Sequence, residues 1–296
     1  MPTVIIVYCV FVAAASLAGG ELPSLIRLTH ARMQVFVSLV AGLMLGVGLF
    51  HMLPHAAAEV NSLDHVMSWV MGGLLTTFFL IRAFHFHQHG PAESDQVESS
   101  IHDHDHDRGH NHAGISATQP SSPHRLSWVG MGLGLSIHTL LDGTAMAASV
   151  QADSHLAADS WWLGLGTFLA VLLHKPLDAM SITSLMAIGG WSKGSRQAIN
   201  VAYSLLCPLG AALFWFGAKW LGGQSQTFVG CALAFSAGVF LCISLSDLLP
   251  EVQFHSHDRL KLSAALLLGI VAAWGLRYLE PAHAHQRSGI RAETRD

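Results

Sequence analysis

Leu135-Ser136-Ile137-His138-Thr139-Leu140-Leu141-Asp142-Gly143 sets an imidazole and a carboxylate four residues apart inside an apolar run. Val171-Leu172-Leu173-His174-Lys175-Pro176-Leu177-Asp178 repeats the arrangement. A spacing of four puts both members of each pair on one face of a helix. A helix satisfies its own backbone polar groups and therefore suits hydrocarbon, where an ionisable side chain is costly and marks a site. A membrane span needs roughly 20 mostly apolar residues. Eight stretches qualify: 3–20, 34–56, 64–84, 127–150, 160–188, 197–217, 226–249 and 260–279. The expected fold class is an all-α membrane protein with eight transmembrane helices.

Composition agrees. Of 296 residues, 51% are in the AVILMFWYC set, and the 28 glycines bring the apolar share to about 60%, against a usual 45–50%. Only 11% are charged, too few to coat a soluble domain of this size or to keep a chain disordered. With 15 Lys and Arg against 19 Asp and Glu, a nucleic-acid partner is not expected. Cys9, Cys207, Cys231 and Cys242 lie in apolar stretches without close pairing, so no disulfide framework is implied. Twenty histidines outnumber the lysines and arginines together, which points to metal or proton chemistry. Thr3 to Gly19 has no basic segment before it and reads as a first span, not a cleaved signal.

The chain divides accordingly. Residues 1–84 carry spans one to three, 127–188 spans four and five, 189–280 spans six to eight, and 281–296 form a short tail. Residues 85–126 lack apolar periodicity and read as a disordered loop, rich in histidine at His102, His104, His106, His110 and His112 among others. Lys and Arg concentrate in loops on one side if both termini face outward: Arg27, Arg32, Arg82, Arg108, Arg125, Lys193, Arg196, Arg259 and Lys261, against Lys219 outside. The outer end of span eight and the tail, with Arg277, Arg287, Arg291 and Arg295, run against that rule. The expectation is outward termini, a cytoplasmic histidine loop and residence in the cell membrane.

Span two holds His51-Met52-Leu53-Pro54-His55 and span seven holds Asp247-Leu248-Leu249-Pro250-Glu251. Both set a polar residue, two apolar residues, proline and a second polar residue at a helix end. Spans one to three and six to eight each hold an odd number of helices, so the two copies would be inverted repeats, a transporter pattern. Four spans thus carry metal-ligand types at a spacing of four: His51/His55, His138/Asp142, His174/Asp178 and Asp247/Glu251. Imidazole nitrogen with carboxylate oxygen suits Zn²⁺, Mn²⁺, Fe²⁺ or Cd²⁺ better than Ca²⁺ or Mg²⁺.

The two paired motifs, together with Ala237-Gly238-Val239-Phe240 and Asp247 to Glu251 in span seven, resemble the signatures of the ZIP (Zrt/Irt-like) divalent-metal transporters. The resemblance extends to eight spans, outward termini and a histidine loop after span three. It implies a 3+2+3 helix arrangement with a metal site between spans four and five. His138, His174 and Asp178 match the primary ligands, Asp142 the acidic position one turn on, and Met44 a thioether ligand on span two. Members with two metals place Asn, a carboxylate and Glu where this chain has Thr139, Lys175 and Cys207. All three second-site positions are altered. Lys175 would then stand in for the missing charge, paired with Asp142 or Asp178, or else snorkel to water. Cys207 stays open as a ligand for a weaker second ion.

The leading expectation is uptake of Zn²⁺ or a similar ion, and the order of ligands fits the topology: His51 and His55 at the outer end, the cluster of spans four and five at mid-depth, and Asp247 and Glu251 at the inner end. His255, His257 and the histidine loop would receive it. The implied partners are the metal ion and the lipid bilayer, with association of two copies left open. Two other functions use similar residues. An intramembrane zinc hydrolase would activate water with His and Asp, but no His-Glu-x-x-His occurs. A cation-diffusion exporter would need a folded C-terminal domain, for which the tail is too short.

Overall fold

The computed structural model describes residues 2–25, 30–60, 62–85, 127–156, 162–222, 225–254, 259–276 and 278. The described residues form ten α-helices and one π-helical turn. They are α1 (Pro2–Leu25), α2 (His30–Val47), the π turn Gly48–Met52, α3 (Leu53–Glu59), α4 (Leu63–His85), α5 (Ser127–Leu156), α6 (Leu165–Ile188), α7 (Lys193–Ser204), α8 (Leu206–Leu221), α9 (Ser225–Phe254) and α10 (Arg259–Leu276). Seven segments among them are long and apolar enough to cross a membrane. The exception among the eight expected spans is α5, whose 30 residues suffice in length but which carries both aspartates Asp142 and Asp153. The segment 86–126 with its histidines, His255, His257 and the tail 281–296 lie outside the described residues.

Several expected boundaries shift, and proline explains two of them. Proline has no N–H for the carbonyl four residues back and clashes with it. In span two the helix widens just before Pro54, where the Leu53 N–H reaches back to the Gly48 carbonyl in a π turn. Span six breaks into α7 and α8 at Leu205, three residues before Pro208. Span four runs on past residue 150 to Leu156, because Ala152, Asp153 and Ser154 remain buried against neighbouring helices. Hydropathy marks where apolar residues stop, not where a helix does. Span five starts at Leu165 and not at 160. Gly164 precedes it at φ 66, where a Cβ would meet Val150, and donates its N–H to Asp153 Oδ2 at 2.7 Å.

Four helix pairings dominate: α2 with α10, α4 with α9, α5 with α8, and α1 with α6. Three of them are built on reciprocal glycines. A Cβ on Gly42 would fall on the Leu266 carbonyl, and one on Gly269 on the Leu39 carbonyl. Gly73 and Gly238 stand likewise against Phe235 and Val70, and Gly143 and Gly210 against Cys207 and Leu140. In lipid, apolar faces gain little from meeting one another, so close backbone approach at small residues supplies the packing. Large apolar side chains such as Phe216, Leu213 and Leu268 point outward, as a lipid-facing surface requires.

Candidate metal centre

His138 and Asp142 sit one turn apart near the middle of α5, and His174 and Asp178 do so in α6. One donor atom from each comes within 4.8 Å of all the others, the one such His/Cys/Asp/Glu group among the described residues. His174 Nε2 lies 3.2 Å from Asp142 Oδ2 and 3.8 Å from Asp178 Oδ2. His138 Nε2 lies 3.4 Å and 3.9 Å from the same two oxygens. Tetrahedral zinc with bonds of about 2.0–2.1 Å spaces its donors roughly 3.3–3.4 Å apart. The four atoms are therefore close to a metal shell without rearrangement of the backbone.

The imidazoles stack with centroids 5.4 Å apart. His174 Nδ1 donates to the Ala170 carbonyl at 2.8 Å, which orients the ring so that Nε2 faces the cluster, 3.2 Å from Asp142 Oδ2. His138 Nδ1 and Asp142 Oδ1 are buried and have no hydrogen-bond partner among the described residues. Asp178 is the most exposed of the four, at 18% of its side chain.

Lys175 reaches into the same cluster. Its side chain is 1% exposed, so it does not snorkel to water. Instead Nζ donates to Asp142 Oδ2, to Asp178 Oδ2 at 3.1 Å and to Thr139 Oγ1 at 3.0 Å. Both carboxylates are its partners, where the sequence left one or the other open. Two carboxylates against one ammonium leave the cluster a single negative charge, which one divalent cation overturns.

Thr139 in turn donates to the Tyr203 hydroxyl at 2.6 Å, which lies 3.3 Å from Asp178 Oδ2. Nothing in the sequence singled out Tyr203. It lies at the end of α7 beside the break before Pro208, and its phenol reaches Thr139 on α5 and Asp178 on α6. Cys207 is buried but does not join the group of converging donors. Met44 is buried on α2, in the core.

His51 and His55 are buried elsewhere. His51 Nε2 lies 2.7 Å from the Ala273 carbonyl on α10, with Gly166 against its ring. His55 Nδ1 lies 3.3 Å from Asp153 Oδ1, and Glu59 Oε1, one turn further along α3, 3.2 Å from His155 Nδ1. Two His–carboxylate pairs thus join α3 to the end of α5. Asp153 and His155 escaped sequence reasoning because they fell beyond the expected end of span four. Asp247 and Glu251 lie on α9.

Comparison with known proteins places this geometry. The family model for the ZIP Zinc transporter matches residues 3–276. The chain is 25% identical over 267 residues to Zinc transporter ZIP9 of Xenopus tropicalis, covering 81% of this chain and 82% of that one. It is 23% identical over 255 residues to human Zinc transporter ZIP1, covering 81% and 76%. Against human Zinc transporter ZIP4 it is 26% identical over 272 residues, 76% of this chain and 39% of the longer relative. A multi-pass helical protein with a buried His/Asp cluster, matched along nearly its whole length, the chain belongs to the ZIP zinc transporter family.

Proposed function

We propose that the protein carries Zn²⁺ from outside into the cytoplasm through the cluster of His138, Asp142, His174 and Asp178. The convergence of their four donor atoms near the middle of α5 and α6 carries the reading. Two imidazoles and two carboxylates suit Zn²⁺, with Fe²⁺, Mn²⁺ and Cd²⁺ as competitors. Met44 is the candidate fifth ligand from α2. His51 and His55 serve the outer mouth, Asp247 and Glu251 the inner, and His255, His257 and the histidine loop receive the ion. This orientation has both termini outside, following the Lys and Arg distribution.

The proposed architecture is 3+2+3 with inverted repeats. Exchanging spans one to three with six to eight, and four with five, turns the α1·α6 pairing into that of α8 with α5, and α2·α10 into α9·α4. All four are the dominant pairings. Gly42 and Gly238 each stand twelve residues before the proline of their motif, and each makes one of the close backbone contacts. His138 with Asp142 exchanges with His174 and Asp178, so the cluster itself follows the pseudo-symmetry. Transport by rocking one repeat against the other around a fixed site is what such a plan permits.

Flux into proteoliposomes tests the reading. Alanine at His138, His174 or Asp178 abolishes zinc flux with insertion intact, and wild-type rates in two of the three variants would sink the assignment. Flux in the outward sense alone would overturn the direction.

A further inference from the structure

We propose that Tyr203 is a positioning residue of the metal centre, fixing Asp178 through a hydroxyl chain that begins at Thr139. The inference rests on the cluster being the transport site. An ammonium has only donors and a carboxylate only acceptors, so the hydrogen bonds between them run in one sense. Lys175 Nζ donates to Thr139 Oγ1, Thr139 to the Tyr203 hydroxyl, and Tyr203 to Asp178 Oδ2. Lys175 closes the ring with its own bond to Asp178 Oδ2. Each hydroxyl in it both accepts and donates.

Asp178 is the ligand that needs this support. His174 is oriented by the Ala170 carbonyl, and Asp142 is fully buried against Lys175 and both imidazoles. Asp178 is the most exposed of the four, and its oxygen is the farthest from the imidazoles. Without Tyr203 its carboxylate keeps the Lys175 bond alone among those the ring provides, and it is free to turn towards solvent. Partners behind a metal ligand hold its orientation, and their loss costs about 10- to 100-fold in metal affinity.

Tyr203 has a separable packing role. Its ring lies with Ala179, Ile182 and Met186 in a small apolar cluster between α6 and α7. Tyr203→Phe keeps the ring and removes only the hydroxyl, so it isolates the positioning effect.

The test is zinc titration calorimetry on the full chain in detergent, paired with flux. Tyr203→Phe raises the Zn²⁺ dissociation constant about 10- to 100-fold, and raises the flux KM while the maximal rate stays within about twofold. In an Asp178→Asn background the same change adds nothing, because the residue it acts through has already been altered. An unchanged dissociation constant in the Tyr203→Phe single variant, or an equal loss in both backgrounds, overturns the inference. Should Tyr203→Phe fail to insert, Thr139→Val breaks the same hydroxyl chain and is measured in the same two backgrounds, where the same results support or overturn the inference. Normal zinc binding and flux in His174→Ala would instead defeat the transport-site reading, a result distinguishable from a neutral Tyr203→Phe.

Discussion

Lys175 on α6 and Asp142 on α5 form a direct ion pair with side chains 1% and 0% exposed, in the middle of the cluster that the histidines complete. A cation is therefore built into the site. Buried ion pairs gain little net stability, but removing one partner strands the other and costs roughly 3–5 kcal/mol. Lys175→Met accordingly lowers the thermal midpoint of the zinc-free protein. Added Zn²⁺ restores more of that loss than it adds to the wild type, since an ion that binds the folded state stabilises by mass action. Thermal shift with and without zinc checks this, and equal midpoints for variant and wild type would show that the ammonium compensates nothing.

The same pair predicts stoichiometry. With Lys175 among the oxygens of Asp142 and Asp178, a second divalent ion would meet an ammonium across a low-dielectric gap. One Zn²⁺ per protomer is expected at the cluster, measured by equilibrium dialysis on protein lacking residues 95–120. Two fully occupied metals about 3.5–4 Å apart between α5 and α6, in the range of bridged sites, would contradict it.

Deleting residues 95–120 leaves maximal flux largely intact and shifts its dependence on metal concentration. The segment supplies His102, His104, His106, His110 and His112, and imidazoles on a polar segment bind metal without fixed geometry. Flux measured across a zinc series decides, and complete loss of transport in a correctly inserted deletion rules the tuning role out.

Asp247→Asn with Glu251→Gln is expected to slow turnover more than it weakens apparent affinity, on the proposal that these residues serve the inner mouth and not the His/Asp cluster. The repeat relation to His51 and His55 motivates the assignment. Initial rates against zinc concentration separate the two parameters, and an unchanged maximal rate with normal insertion leaves both as simple interfacial residues.

The order of residues along the chain is enough to give the membrane class, the helices that carry the site and its four candidate ligands. Apolar runs and a spacing of four are local properties, which depend only on helix geometry and on the cost of ionisable groups in hydrocarbon. His138, Asp142, His174 and Asp178 are legible for that reason. How side chains from different helices share oxygens is settled by packing alone. Lys175 had one carboxylate partner or none on sequence grounds, and the crossing of α5 and α6 gives it two. Tyr203 carries no sequence signal, since a tyrosine near a helix end is common, and the positioning role proposed for it rests on contacts with α5 and α6 that only the folded chain makes. Asp153 and His155 stay hidden in a hydropathy reading because polarity there marks the end of a span, whereas burial against neighbouring helices lets α5 continue to Leu156. A hydrogen-bond ring closes through space, and its members need no spacing in sequence that would announce it.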